Sequence, residues 1–109
     1  MKFISANIVR FVDGHQPGWV ECEFADAEGR LHVLRDKVPI FTVEMLDADS
    51  TYPTMGKIPC EVLETFKDAT GRELVRVSTE EPCGIDSAEG LSEFIVSPGL
   101  ITEVSDKRY

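Results

Sequence analysis

Val20, Cys22 and Phe24 alternate with Glu21 and Glu23, a period of two that puts three apolar groups on one face of a strand and two carboxylates on the other. The run stops at Asp26-Ala27-Glu28-Gly29, which has the parts of a type I turn with a G1 bulge. Asp accepts a local backbone hydrogen bond at the first position, and Gly takes the left-handed conformation at the last. Arg30 to Arg35 is expected to return as the partner strand, with its most apolar pair, Leu31 and Val33, turned inward.

The same device recurs where Pro59 to Phe66 runs into Asp68-Ala69-Thr70-Gly71-Arg72 and continues as Glu73 to Ser78. Each hairpin carries Cys-Glu on its first strand, at Cys22-Glu23 and Cys60-Glu61, and each ends in a proline segment, at Val38-Pro39 and Glu81-Pro82. Duplication would explain that likeness, but turn stereochemistry alone produces the shared Asp and Gly. Two copies also fall short of the three or more that a repeat array needs.

The rest of the chain supplies further short strands. Lys2 to Val12 is apolar on both faces, as expected of a strand partly covered twice. Ile40 to Leu46 alternates Phe41, Val43 and Met45 against Thr42 and Glu44 and is expected to be a strand. Leu91 to Val96 and Leu100 to Val104 follow, separated by Pro98-Gly99. Loops are expected at Asp13 to Gly18, Asp47 to Lys57 and Glu80 to Gly90, each marked by Gly, Pro, Asp or Ser. Asp86 to Glu89 is expected to make one helical turn capped by Asp86. Together these elements predict an all-β fold in a single domain over residues 1–109: a small β-barrel or sandwich of about six to eight short, mostly antiparallel strands, with hairpins turning at 26–30 and 68–72.

Composition narrows what such a domain does. The chain has 109 residues, 42% hydrophobic and 28% charged, an ordinary globular balance with room for one core. No run approaches the ~20 apolar residues of a spanning helix, and Asn7 and Arg10 interrupt the N-terminal run too early for a signal peptide. A cytoplasmic location is therefore expected. Cys22, Cys60 and Cys83 are odd in number and widely spaced, so reduced thiols are expected rather than a disulfide framework. The net charge of −9 repels phosphate backbones and anionic membranes and suits a basic protein surface as partner.

Candidate chemistry is sparse, and no metal or other cofactor is expected. Cys22 and Cys60 sit on strands, where a free thiol behaves as a small hydrophobe. Cys83 lies in a loop, but Glu80, Glu81 and Asp86 around it would raise its pKa and blunt it as a nucleophile. His15, His32 and the cysteines lack the paired spacing of a zinc site. Asp47-Ala48-Asp49-Ser50-Thr51 begins like a calcium loop, which then fails at Tyr52 and Ile58. Phosphate loops are absent, and no pair of carboxylates stands out for glycoside hydrolysis.

What remains is surface. Glu80, Glu81, Asp86 and Glu89 put four acids and no base on one long loop, and Trp19 and Tyr52 are the loop-proximal aromatics of the types most used as binding anchors. These six residues form the candidate binding surface. The leading expectation is a non-catalytic interaction module of bacterial type, inhibitor- or immunity-like, that presents acidic loops to a basic partner. The alternatives are a small-molecule-binding barrel with its ligand held inside or at the mouth among Trp19, Phe41 and Tyr52, and a thiol-dependent enzyme using Cys83.

Overall fold

The two hairpins close through the same set of bonds. Asp26 Oδ1 accepts from the N–H of Glu28 and of Arg30 at 2.9 and 3.0 Å, and the backbone closes with Asp26 N–H on Arg30 O and Gly29 N–H on Asp26 O, both at 2.9 Å. Asp68 repeats the pattern with Thr70 and Arg72. Gly29 and Gly71 take φ of 84° and 86°, which explains why glycine stands there in both turns. In the computed structural model, which describes residues 1–14 and 18–104, the element order is β1 (Lys2–Asp13), β2 (Trp19–Ala25), β3 (Leu31–Lys37), one helical turn α1 (Val38–Phe41), β4 (Thr54–Lys67), β5 (Glu73–Ser78), β6 (Glu93–Val96), a 3-10 turn (Pro98–Leu100) and β7 (Ile101–Glu103).

All pairings of these strands are antiparallel, in the order β3-β2-β1-β4-β5-β6, with β7 on β1. The long strand β4 joins the two halves: Thr54 to Cys60 pairs with β1, and Glu61 to Lys67 pairs with β5 past an irregularity between Val62 and Glu64. Such an irregularity bends a strand and increases its twist. The sheet curls as a half-barrel around one core that includes Ile4, Ile8, Val20, Leu34, Ile58 and Val77. Its far ends meet through Ala27 N–H on Ile95 O at 2.9 Å, Ala88 N–H on Val33 O at 2.7 Å and a bridge between Leu34 and Ser87. Those bonds cover edges that would otherwise be open to another chain.

The structure corrects four local expectations. In β3 the inward pair is His32 and Leu34, while Leu31 is exposed. The register places Cys22 opposite Leu34 and Phe24 opposite His32, and directly opposed residues share a face. Residues 40–46 are not a strand: Pro39 is the second residue of α1, Phe41 is buried at its end, and Val43 and Met45 point into solvent. Pro is tolerated in the first turn of a helix because its missing N–H needs no partner there. Strand β4 begins at Thr54, inside the expected loop of residues 47–57.

Asp86 to Glu89 forms no helical turn. Ser87 bridges to Leu34, and its Oγ accepts from the N–H groups of Glu89 and Leu91, while Gly90 at φ 84° closes a tight turn onto Ser87 O. The root of this loop is Thr79, which is fully buried. Its hydroxyl donates to Ile85 O at 2.5 Å, and its backbone bonds both Ser92 and Ile85. Thr79→Val keeps the shape and strands the Ile85 carbonyl, so urea denaturation should show a loss of about 1–3 kcal/mol. An unchanged midpoint would remove Thr79 as the anchor.

Candidate functional site

The most unusual surface is the segment from Thr42 to Asp49. Phe41 is buried, and Leu46 and Tyr52 pack against the core, so the segment is held at both ends. Local bonds stiffen it. Thr42 Oγ1 accepts from Glu44 N–H at 3.1 Å, Asp47 Oδ1 accepts from Asp49 N–H at 2.9 Å, and the Tyr52 hydroxyl donates to Asp47 O at 2.8 Å. Between these anchors Val43 and Met45 are 102% and 96% exposed. Burying one such side chain is worth about 1.5–3 kcal/mol, and here two of them are held in water on a braced segment.

Two concavities border this arm. One, of about 720 Å³, is lined by the arm together with Phe11, Gly14, Gly18 and Val38. The other, of about 600 Å³, has Phe3, Ile40, Phe41, Met55 and Lys57 in its wall. Met55 is itself exposed and extends the apolar surface beyond the arm. Neither Trp19 nor Tyr52 is among the described residues of either wall. Trp19 is half-buried at the start of β2, opposite Lys37, and Tyr52 is committed to bracing the arm.

The acidic loop is a strap more than a free loop. Ile85 is buried in the core, and Ser87 and Ala88 fasten the strap to β3. Glu80, Glu81 and Asp86 stand exposed on it and make no ion pair among the described residues, whereas Glu89 is paired with Arg30. Three of the four expected acids are thus open to a partner. The two hairpin turns also meet: Arg72 donates to Ala27 O at 3.3 Å and Glu28 Oε2 at 3.2 Å. That contact accounts for the arginine of the second turn, which turn stereochemistry leaves unexplained.

All three thiols are raised above the ordinary cysteine value. Burial pushes the Cys22 thiol up to about 12 and the Cys60 thiol to about 11. Cys83 is exposed, as expected, and its thiol is raised by partial burial and then by Asp36. The acid that acts on it is therefore on β3, not among its sequence neighbours. His15 lies outside the described residues.

His32 is buried between Phe24 and Phe94, with ring centroids 5.4 and 4.8 Å away, and its Nε2 meets Asp26 Oδ2 at 2.8 Å. Burial pushes Asp26 upward, but the His32 bond and the two turn N–H groups outweigh it, and the carboxyl sits below its usual value of 3.8. An ionised Asp26 only accepts, so Nε2 carries the proton. The other ring nitrogen, Nδ1, is buried without a partner.

Among the described residues no three His, Cys, Asp or Glu side chains gather closely enough to hold a metal ion, and no helix is long and apolar enough to cross a membrane. Comparison of the chain with protein-family models, with curated proteins and with solved structures gives no match.

The arm is the feature that sequence reasoning missed. Pro39 was the available signal, since it favours a helical start and disfavours a strand interior, but the alternation of residues 41–45 pointed the other way.

Proposed function

We propose that this chain is a non-catalytic protein-interaction module, inhibitor- or immunity-like, that meets a basic partner through acidic and apolar surface at its loops. The observation that carries this reading is the full exposure of Val43 and Met45 on an arm anchored by Phe41 and Leu46. A monomer gains nothing from holding them in water, whereas an interface gains by covering them. The free acids of the strap and the net charge of −9 favour a basic partner over nucleic acid or an anionic membrane. The raised thiol pKa values of all three cysteines support a role without thiol catalysis. A cytoplasmic setting belongs to the same proposal and suits three unpaired thiols, one of them exposed.

The rival reading, a small-molecule-binding barrel, has the 600 Å³ concavity in its favour, a volume within the usual range for ligand pockets. That concavity opens outward beside Val43 and Glu44, however, so an interface on the arm would cover it too.

The test uses Val43→Ser with Met45→Ser. Neither side chain is packed in the core, so the melting temperature should stay within about 3 °C of wild type. Co-purification of the wild-type partner from native cells should be lost. If wild type retains no partner, or the double variant retains the same one, the interaction reading fails.

A further inference from the structure

We propose that the 720 Å³ groove beside the arm holds an amphipathic segment of the partner, an apolar side chain seated in the groove with Lys or Arg on either flank. The inference rests on the interaction reading above and adds the site and the chemistry of its occupant. The groove wall is apolar at Phe11, Val38, Met45 and Leu46, which suits a side chain such as Leu or Phe. Its polar members of ionisable type are Glu44, Asp47 and Asp49, and no Lys or Arg stands among the described residues that line it.

None of those three carboxylates is ion-paired within the chain among the described residues. Asp47 is held in place by accepting from Asp49 N–H and from Ser50 Oγ, so this member of the negative rim is fixed in position before a partner arrives. A carboxylate already in place lowers the ordering cost of binding.

Charge decides between occupants. A second copy of this chain would bring its own acids onto the rim, since the chain carries 20 acidic residues against 11 basic, and like charges across an interface oppose docking. An anionic lipid surface and nucleic acid are opposed for the same reason. A basic amphipathic segment supplies both missing parts, apolar surface for Met45 and cations for the rim, as when an amphipathic helix lies in a groove.

The test is an NMR titration of the isotope-labelled full chain with two synthetic peptides of equal length and identical Leu pattern, one with Lys and one with Glu at the polar positions. The Leu/Lys peptide should shift the amide signals of Thr42 to Asp49 and Phe11, and higher salt should weaken it. Val43→Ser with Met45→Ser, and separately Glu44→Lys with Asp49→Lys, should each weaken binding by about tenfold or more. Glu80→Lys with Glu81→Lys should leave it within about twofold.

Shifts confined to the Glu80–Glu89 strap would overturn the groove and leave the acidic-module reading standing. Equal binding of the Leu/Glu peptide, or binding of neither peptide, would overturn the proposed occupant. Concentration-dependent dimerisation in sedimentation that the serine variant abolishes would identify a second copy instead.

Discussion

Replacing Gly56 with Ala should destabilise the fold by about 1–3 kcal/mol and replacing Ile8 with Ala by about 2–5 kcal/mol, yet the double variant should cost less than the sum. Gly56 lies in β4 opposite Ala6, on the inner face of the curl. A Cβ built there would stand 2.7 Å from Ile8 Cγ1 and 2.9 Å from its Cδ1, closer than carbon atoms approach. Ile8 is fully buried in the core, so it has no free space to move into, and the strain spreads to its neighbours.

Truncating Ile8 opens the volume that the new methyl needs. Each substitution therefore relieves part of the other's cost, and the double-mutant cycle in urea should show favourable coupling of at least about 0.5 kcal/mol. Additive costs would mean that the backbone, not Ile8, accommodates the methyl.

The twin turns provide the second large effect. Asp26→Ala should cost about 1–3 kcal/mol and Asp68→Ala markedly less, although both remove the same pair of backbone acceptor bonds. The difference lies in the buried His32 Nε2–H, which only Asp26 satisfies. Asp68 instead bonds the exposed Thr70 and Arg72. His32→Phe in the Asp26→Ala background should recover part of the loss, because an apolar ring between Phe24 and Phe94 leaves no stranded donor.

The acid limb has a definite sign. A carboxyl whose native pKa lies below its unfolded value contributes stability in full above the unfolded value and loses it as pH falls through the native one. The gap between wild type and Asp26→Ala should therefore be constant above the usual carboxylate range near pH 3.9 and shrink below it. A series of denaturation curves from about pH 5 to about pH 2 measures this. A gap that stays constant to the lowest pH would show that the Asp26–His32 pair adds nothing as an ion.

The inward face of β3 is legible from the turn that precedes it. Once Asp26 pairs with Arg30 across the turn, counting outward puts Phe24 opposite His32 and Cys22 opposite Leu34. The greater apolarity of Leu31 and Val33 suggested the other face, but a shift by one residue would have turned Val20, Cys22 and Phe24 outward as well. The three apolar residues of β2 outweigh two in β3. Residues 40–46 depart from their local pattern for a different reason. Alternation would put Phe41, Val43 and Met45 on one side, but Phe41 ends a helical turn in the core and the chain beyond it joins no strand before Thr54, so Val43 and Met45 stand in water.

Of the candidate surface, Glu80, Glu81 and Asp86 were legible as exposed acids because a loop rich in Pro, Gly and Ser cannot be buried without stranding its backbone. Glu89 was not separable from them, since its partner Arg30 lies 59 residues away in the chain. Asp36 beside Cys83 and Arg72 on the first turn are of the same kind.

By itself the sequence determined the two turns, the period-two strands between them and the acidic balance, because these depend on the stereochemistry and ionisation of residues close together in the chain. Tertiary structure alone decided how β4 bends between its two partners, which acids are paired, and that Val43 and Met45 end in water. Each of those outcomes depends on which distant segments fill the space next to a residue, and local pattern carries no record of that.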